Sequence, residues 1–420
     1  MADQPLFPRR AADQIRTALT RSPIVLLTGA RQTGKTTLAN ALAADRLDGE
    51  YATLDDAATL TLARRDPVGF LDGLGSRAVI DEAQRAPELL RALAGSANRD
   101  ARPGRLLLTA SASPLTMSGI REWPPGLVET VRLLPLSQGE IRAVSERFID
   151  TILAGDPVGI TGGSRDETIA AALVGGHPRV QSLGFERQGA WFRSYVSTVL
   201  DRDVRDLAQV GGLAPMPQLL TLLAARSGAP VNAAGLARDL GVPNTSVRRY
   251  LALLEAAYLA VRVPAWTGQV GRRLVKAPRL FLGDTGLMAH LALITEERLA
   301  QDPALAGPLL ETFAVLELLK QAEWSRTELR VSHFRTDAGQ EVDLVLQSAG
   351  GGIVGMDVRS AITVGPADLR GLSALRDLTG RRFRRGVLLY LGREAVRLDD
   401  RLWAVPLSGL WSTAAGPTRG

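Results

Sequence analysis

The sequence predicts an α/β protein of several domains, the first of which is built on a parallel sheet. At 420 residues the chain is too long for one ordinary hydrophobic core, so we expect two to four domains. Three short apolar runs, 24–28, 77–81 and 105–109, are typical of strands buried on both faces of a sheet. A helix-turn-helix spacing in the middle of the chain, and a second group of strands near its end, predict further domains of a different kind.

The composition is that of a folded protein with a mild excess of positive charge. Hydrophobic residues make up 45% of the chain and charged residues 22%. The net charge of +6 permits contact with nucleic acid without requiring it. Cysteine is absent, which excludes disulfides and thiolate metal sites. We find no signal-peptide core and no apolar run of about 18 residues, so we expect a cytoplasmic protein without a membrane partner.

The stretch LLTGARQTGKTT, residues 26–37, lies between the first predicted strand and a helix-compatible run. Gly29 and Gly34 let the backbone bend so that successive N–H groups point at a phosphate from a helix N-terminus. Lys35 is expected to bridge the β- and γ-phosphates of ATP, and the Thr36 hydroxyl to ligate Mg²⁺. The residues expected to bind the nucleotide are Gly29, Ala30, Arg31, Gln32, Thr33, Gly34, Lys35, Thr36 and Thr37.

A second motif, AVIDEAQ at residues 78–84, ends an apolar strand with two acidic residues. Asp81 is expected to hold the Mg²⁺ through water. Glu82 stands one residue further on, where a carboxylate can orient and polarise an attacking water. This order favours hydrolysis over phosphoryl transfer to a bound substrate. No Asn-Lys-x-Asp element for guanine is found, so ATP is the expected nucleotide.

The third apolar run, 105–109, leads into small polar residues. We expect this strand to lie between the two motif strands, with a hydroxyl at its tip near the γ-phosphate. Ser111 and Thr109 are the candidates, and Ser111 is assigned a catalytic role beside Glu82 and Lys35. The alternative is an ordinary turn, because Ser and Thr are common at strand ends.

These residues resemble the AAA+-type ATPases of bacteria and archaea in which a GxRQxGKTT loop heads a compact ATPase domain and a poorly understood C-terminal region follows. The resemblance spans nearly the whole chain and implies a P-loop ASCE/AAA+-type domain at residues 1–160, with oligomers possible. It rests on Gln32, Asp55-Asp56, Asp81-Glu82-Ala83-Gln84, Pro135-Leu136-Ser137 with Glu140, and Gly175-Gly176-His177-Pro178.

One family feature is missing from the chain. In the family, a Gly-Arg pair that looks like a γ-phosphate contact commonly precedes the Pro-Leu-Ser motif, whereas this chain has Gly126-Leu127. Arg121 and Arg132 are both candidates to replace the arginine. The loss bears on hydrolysis more than on binding, because an arginine finger acts on the transition state. His177 is expected to be a structural residue of its turn, with a catalytic base as the alternative.

The middle of the chain has the spacing of a winged helix-turn-helix. After a helical connector at 161–214, the domain at 215–298 is expected to contain a helix ending at Gly241 and a second helix capped by Asn244. A wing is expected to begin near residue 259. The residues expected to contact DNA are Arg248, Arg249, Arg272, Arg273 and Lys276. The alternative is a domain that contacts protein.

Residues 299–420 resemble the PD-(D/E)xK nuclease superfamily, a restriction-endonuclease-like α/β fold. A helix, three strands, a helix and a strand are expected in that order. The resemblance implies that Glu311, Asp343 and Asp357 would ligate a metal. The usual Glu-x-Lys is replaced here by Asp357-x-Arg359, and an arginine cannot accept a proton. A degenerate, binding-only domain is therefore expected. The basic run 381–385 is either a phosphate patch with a stacking aromatic or a solvated loop.

The sequence thus predicts an ATP- and Mg²⁺-dependent ATPase whose nucleotide state controls a DNA-associated C-terminal module. Two alternatives stay open at this point. One is a nucleotide-stabilised scaffold that acts on a protein partner with little turnover, and the other is an ATP-gated nuclease.

Overall fold

A computed structural model describes residues 6–44, 50–99, 101–117, 119–120, 123–208, 212–268 and 277–412. Four residues that were given a functional role from the sequence lie outside these described residues: Arg121, Arg272, Arg273 and Lys276. Within the described parts of the chain, no helix is both long enough and apolar enough to cross a membrane.

The N-terminal part is built on a parallel sheet, as the sequence predicts, and this sheet has five strands. The strands are arranged in the order β2-β3-β4-β1-β5, so β4 separates the two strands that carry the motifs. They are β1 (Ile24–Thr28), β2 (Glu50–Thr53), β3 (Ala78–Asp81), β4 (Leu106–Ala110) and β5 (Val128–Arg132). The helices are α1 (Ala11–Leu19), α2 (Lys35–Leu42), α3 (Ala57–Arg65), α4 (Pro67–Gly73), α5 (Pro87–Arg99) and α6 (Gln138–Arg142).

The central strands are hydrophobic throughout because helices cover both faces of this sheet. Val25 and Leu27 of β1 are buried in a core that includes residues of α1 and α2. The alternate residues Ile24 and Leu26 face the other way, into a core that includes α5. This period of two follows from strand geometry. Since all five strands are parallel, their carboxyl ends meet at one edge, where the loop after β1, the acidic pair Asp81-Glu82 and Ser111 come together.

A helical connector follows the sheet. After α7 (Phe148–Ala154), which precedes the predicted start of the connector at residue 161, its helices are α8 (Arg165–Val174), α9 (Phe185–Thr198) and α10 (Arg205–Ala208). A π-helical segment, Val199–Val204, joins α9 directly to α10. The chain from 185 to 208 is therefore one helical rod with a widened turn near its C-terminal end.

The middle part has three helices, a two-stranded antiparallel sheet and two further helices. Its elements are α11 (Met216–Ala225), α12 (Ala233–Leu240), α13 (Asn244–Ala256), β6 (Ala260–Val263), β7 (Arg279–Leu282), α14 (Thr285–Leu291) and α15 (Glu296–Gln301). Gly241 ends α12 in the left-handed conformation, as predicted. The prediction that Asn244 caps α13 is wrong. Pro243 occupies the cap position, so Asn244 is already helical and no side chain caps the helix.

The C-terminal part has a long helix and a six-stranded mixed sheet with the order β12-β13-β11-β10-β9-β8. The elements are α16 (Ala306–Trp324), β8 (Leu329–Arg335), β9 (Glu341–Ser348), β10 (Ile353–Val358), α17 (Arg370–Thr379), β11 (Phe383–Tyr390), β12 (Val396–Asp399) and β13 (Leu402–Pro406). Strands β8, β9 and β10 are antiparallel, whereas β10 and β11 are parallel and joined through α17. The order helix, three strands, helix, strand is the predicted one, and β12 and β13 were not predicted.

One continuous hydrophobic core extends from Phe148 to Trp411 and includes residues of the connector, the middle part and the C-terminal sheet. The predicted boundaries near 160, 214 and 298 do not coincide with separate cores and remain predictions. Such a shared core means that movement of one part is resisted by the others.

Close packing at Gly371 gives a first prediction. A Cβ atom at Gly371, near the start of α17, would lie 1.8 Å from the carbonyl oxygen of Glu341. We expect Gly371→Ala to lower the free energy of unfolding by about 1–3 kcal/mol, because the helix must move off the sheet. The control is Gly307→Ala at the same position of α16, where nothing lies within 4 Å. Gly307→Ala is expected to raise the free energy of unfolding by about 0.5–1 kcal/mol. Denaturant unfolding measures both, and equal effects would contradict the packing argument.

Candidate nucleotide-binding site

The loop between β1 and α2 has the backbone conformation that the sequence predicts. Gly29 and Gly34 have φ angles of 157° and 95°, values that favour glycine. A Cβ atom on Gly29 would lie 2.1 Å from the carbonyl oxygen of Leu133. Thr33 is buried, and its hydroxyl donates to the carbonyl of Ala30 at 2.9 Å. The loop is therefore closely packed, with α2 beginning at Lys35.

Lys35 is buried, and its ammonium group donates to carbonyls of its own loop. Its Nζ atom lies 3.0 Å from the oxygen of Gly29 and 2.8 Å from that of Ala30. Burial lowers the pKa of Lys35 to about 8, against the opposing effect of Glu82. A phosphate in the loop would offer this ammonium a charged partner in place of two neutral ones.

Asp81 lies at the end of β3, and its carboxylate accepts hydrogen bonds from three hydroxyl groups. Thr36 lies 3.0 and 3.1 Å from its two carboxylate oxygens, and Thr109 donates at 2.5 Å. The hydroxyl of Tyr51, on β2, donates at 3.0 Å, and burial followed by the charge of Asp81 raises the pKa of Tyr51 to about 12. The structure thus brings together the two residues predicted to bind Mg²⁺, Thr36 and Asp81, and adds Tyr51.

Glu82 is buried beside the tip of β4. Ser111 Oγ donates to its Oε1 atom at 3.0 Å, and the side-chain amide of Gln84 donates to the other oxygen. The Glu82 amide donates to Thr109 Oγ1 at 3.0 Å. The residue adopts a left-handed backbone, with φ 57°, which is uncommon outside glycine and typical of functional sites. The predicted catalytic residues Glu82 and Ser111 are therefore in direct contact.

We call the loop between β1 and α2, residues 29–34, the phosphate loop, and it is held in place by Arg9, a residue that sequence reasoning missed. Its guanidinium donates to the carbonyls of Thr33 at 2.7 Å and Leu134 at 2.6 Å, and to Glu140 at 3.2 Å. Glu140 also closes a capping box with Ser137 at the start of α6. This contact gives a structural role to the Pro-Leu-Ser motif and its glutamate.

Two further residues of the loop, Arg31 and Gln32, contact the connector. The Arg31 guanidinium forms a bidentate ion pair with Asp203 of the π-helical segment. Gln32 has a left-handed backbone, and its main chain interacts with the imidazole of His177. Thr36 and Thr37 are exposed on the first turn of α2.

His177 is enclosed by aromatic rings of α9. Its ring centroid is 4.7 Å from that of Tyr195 and 5.2 Å from that of Trp191, and burial lowers its pKa. The preceding amide, that of Gly176, donates to Asp284 at 2.7 Å. This environment fits the structural role expected for His177, and no carboxylate among the described residues forms a hydrogen bond or an ion pair with its ring.

Of the two arginines considered as replacements at Gly126-Leu127, only Arg132 is described. Its guanidinium pairs with Glu323 on α16, with Nε 3.0 Å from a carboxylate oxygen. Arg132 therefore joins the sheet to the C-terminal helix in this structure.

The three acidic residues predicted to bind metal in the C-terminal part converge around an arginine. Arg279 of β7 donates to Asp343 at 2.8 Å and also pairs with Glu311. Burial alone would raise the pKa of Asp343, but Arg279 and further hydrogen bonds hold it below its usual value. Asp357 is fully buried, and its pKa is raised well above normal by burial and by Asp343. Arg359 lies 2.9 Å from Asp357, at angles that do not make a hydrogen bond.

A guanidinium thus occupies the place between Glu311 and Asp343 that a metal ion would need. Across the described residues, no group of three or more acidic or histidine side chains is arranged to hold a metal ion. The arrangement gives no support to the predicted metal site at Glu311, Asp343 and Asp357, which stays a prediction.

Two of the five residues predicted to contact DNA, Arg248 and Arg249, are described, and both are exposed on α13. The Arg249 guanidinium lies 5.6 Å from the ring centroid of Tyr250. In the basic run, Phe383 is buried in the core, so the suggestion that it stacks on a base is wrong. Strand pairing turns this side chain inward, beneath α17.

The lowered pKa of Lys35 gives a second prediction. If the ammonium form binds phosphate, as the sequence predicts, affinity is retained below pH 8 and lost as the pH rises through the pKa of Lys35. Above pH 8 we expect ATP binding to weaken by about tenfold per pH unit. Titration with a fluorescent ATP analogue between about pH 7 and 9.5 measures this slope. Lys35→Arg is the control, because its guanidinium stays charged. An equal slope in both proteins would refute the assignment.

Three family models match the chain in succession. An "AAA domain" matches residues 21–142, a "Domain of unknown function (DUF8612)" residues 165–298, and a "Domain of unknown function (DUF4143)" residues 306–410. The first match contains the phosphate loop, Asp81, Glu82 and Ser111.

Among solved structures, the Walker-type ATPase of Pyrococcus abyssi aligns with a TM-score of 0.38 and 16% identity, covering 68% of this chain and 96% of that one. AMPPCP-bound DnaA from Aquifex aeolicus aligns with a TM-score of 0.29 and 13% identity, covering 59% of this chain and 87% of that one.

Two mycobacterial relatives match almost end to end. They are the uncharacterized proteins Rv2008c of Mycobacterium tuberculosis and Mb2031c of Mycobacterium bovis. Each is 33% identical over 414 residues, which is 97% of this chain and 85% of the relative. The chain therefore belongs to the same family as these two proteins, and its N-terminal part is an AAA-type P-loop ATPase domain.

Proposed function

We propose that the protein is a Mg²⁺-dependent ATPase whose nucleotide state controls a C-terminal module that associates with DNA. The observation that carries the ATPase part is the convergence of Lys35, Thr36, Asp81, Glu82 and Ser111 at one sheet edge. Each of these residues contacts another group of the site within hydrogen-bonding distance.

The donor set fits Mg²⁺. Thr36 and Asp81 offer a hydroxyl and a carboxylate about 3 Å apart, the hard oxygen ligands that this ion prefers. Bound there, Mg²⁺ would neutralise part of the charge on the phosphates. Lys35 would hold the terminal phosphates, and Glu82 would orient the attacking water and accept its proton. Ser111 would fix the carboxylate of Glu82 in place.

A contact between β4 and the helix-turn-helix supports coupling to the rest of the chain. Two residues beyond Ser111, the amide of Ser113 donates to the carbonyl of Ala256 at 2.9 Å. Ala256 ends α13, the helix that displays Arg248 and Arg249. A displacement at the tip of β4 would therefore reach this helix through one hydrogen bond.

The DNA part of the proposal is carried by the two faces of α13. Val247, Leu251 and Leu254 are buried in the core, while Arg248 and Arg249 are exposed. Exposed basic residues early in the second helix are those that reach phosphates and base edges in a groove. The predicted winged helix, its domain boundaries and its DNA contacts all belong to this proposal.

A second candidate function is a nucleotide-stabilised interaction protein with little turnover, acting on a protein partner. The observation that favours it is Leu127 at the position of the family arginine, together with the pairing of Arg132 to Glu323. A nuclease is less favoured, because Arg279 lies between Glu311 and Asp343.

Phosphate release from ATP with Mg²⁺, in the presence and absence of duplex or single-stranded DNA, tests the proposal. We expect turnover in the wild type, stimulation by DNA, and no turnover in Lys35→Ala. Arg248→Ala with Arg249→Ala should remove the stimulation. Removal of two other exposed helical arginines, Arg65 and Arg187, should not. ATP binding without turnover in any condition would favour the scaffold.

A further inference from the structure

The phosphate loop is tied to the connector by a nearly buried ion pair. Nη2 and Nε of Arg31 lie 2.7 and 2.8 Å from the two carboxylate oxygens of Asp203. The Arg31 side chain is 20% exposed and that of Asp203 is 7% exposed. A bidentate pair of this kind is both stronger and more directional than a surface salt bridge.

Asp203 lies in the π-helical segment Val199–Val204. Such widened turns are rare and are frequently found at functional sites. The segment lies within the continuous helix formed by α9 and α10, and α11 and the predicted helix-turn-helix follow later in the chain. A change in the segment's hydrogen bonding would alter the direction or length of that helix.

Arg31 is also surrounded by the charges of the nucleotide site. Its pKa is raised first by Asp203, with smaller effects from Glu82 and Asp55, while its own charge lowers the pKa of Lys35. Arg31 is thus within electrostatic reach of both the proposed base and the phosphate-binding lysine. Arg132 is bound to Glu323, whereas Arg31 belongs to the loop itself.

We propose that Arg31 is a nucleotide-dependent switch that supplies the arginine missing at Leu127. Without nucleotide it binds Asp203. With ATP bound, its guanidinium turns to the γ-phosphate, an acceptor with more charge and the same bidentate geometry. This inference rests on the proposed ATPase function. The pair Arg31–Asp203 would be formed without nucleotide and broken with ATP bound.

The exchange would leave Asp203 without its cation. A carboxylate that is nearly buried and unpaired is unstable, so the π-helical segment must rearrange to expose or re-pair it. Hydrolysis and loss of the γ-phosphate would restore the original pair. The connector would therefore have one conformation in the ATP state and another in the absence of a γ-phosphate.

A double-mutant cycle, measured with and without ATP analogue, tests the switch. The variants are Arg31→Met, Asp203→Asn and the pair together, and denaturant unfolding measures the coupling between the two sites. Without nucleotide, we expect coupling of about tenfold in the unfolding equilibrium constant. With a saturating non-hydrolysable ATP analogue, this coupling should vanish. A static strut would show the same coupling in both conditions, which would overturn the proposal.

The control is the pair Arg21 and Glu129, a second bidentate pair in the same domain, with Arg21 Nε 2.8 Å from Glu129. Its coupling should not depend on nucleotide. In turnover, Arg31→Met is expected to lose about 10³-fold, the lower end of the effect of an arginine finger. Asp203→Asn should bind ATP more tightly than the wild type, because Arg31 no longer has to leave a charged partner.

Hydrogen exchange on the wild type covers the case in which a variant does not fold. We expect amides in 199–208 to exchange faster with the analogue bound, and unchanged exchange would overturn the switch. If the analogue stabilises the wild type but the coupling persists, the switch is refuted while ATP binding stands. If the analogue does not stabilise the wild type, ATP binding itself is refuted, and the proposed function falls together with the switch.

Discussion

Replacing Glu82 with glutamine is expected to lower the rate of ATP hydrolysis by about 10²–10⁴-fold, the usual contribution of a general base. The amide keeps the size of the carboxylate and can still accept the hydrogen bond from Ser111. It cannot take a proton from water. Binding of ATP should be retained at a pH well below the pKa of Lys35, because Lys35 and the loop amides stay in place and the lysine remains charged. Single-turnover kinetics and equilibrium titration with a fluorescent analogue separate the two effects.

The matched control is Glu88→Gln, which changes an exposed glutamate near the start of α5. It should leave both rate and affinity unchanged. Turnover of Glu82→Gln at the wild-type rate would remove Glu82 from the role of base. Loss of ATP binding in Glu82→Gln, without loss of stability, would instead make this carboxylate part of the binding site.

The candidate nucleotide-binding site at the carboxyl edge of the sheet was largely predictable, because its motifs are local in sequence. A strand, a glycine-rich turn and a helix N-terminus follow one another within residues 24–42, so their geometry is fixed by neighbours along the chain. Asp81 and Glu82 end a buried strand, and Ser111 follows the next one. Once the three strands are parallel, these ends must meet. The remaining requirement was strand order, which the motifs imply.

The supporting contacts were not predictable from local sequence, because they join residues far apart in the chain. Arg31 and Asp203 are separated by 172 positions, and Arg9 and Glu140 by 131. Tyr51 reaches Asp81 only because β2 pairs with β3. An arginine or tyrosine in an exposed-looking stretch carries no signal of such a partner.

In the C-terminal part, the element order was predictable and the surroundings of the acids were not. The alternation of apolar runs and turns indicates the strands up to β11. The β12 strand is short and mostly exposed, so no apolar pattern marks it. The partner of Glu311 and Asp343 comes from β7, which precedes both residues in the chain and lies in the wing of the predicted winged helix. Reasoning from the acidic residues alone favours a metal, whereas the fold supplies a guanidinium.

Replacing Arg279 with methionine is expected to lower the free energy of unfolding by about 3–5 kcal/mol near pH 8, because buried carboxylates lose their cation. The control is Arg262→Met on the adjacent strand. There the pair with Glu255 is more exposed, and about 0–1 kcal/mol is expected. Denaturant unfolding at several pH values measures both variants, and equal effects would show that Arg279 is not a buried counter-ion.

The pH dependence of the Arg279→Met variant follows from the sign of its pKa shifts. Burial raises the pKa of Glu311 well above normal even with Arg279 present, and Asp343 loses the cation that holds its own pKa down. Folded Arg279→Met then binds protons more tightly than the unfolded chain does, so its stability falls as pH rises through these raised values. The loss of stability relative to the wild type should therefore be largest near pH 8 and shrink toward pH 5.

Adding Mn²⁺ near pH 8 extends the test to the predicted metal site. Stabilisation of the variant but not of the wild type would show that the carboxylates accept a metal ion once the guanidinium is gone, whereas no stabilisation would show that they serve Arg279 alone.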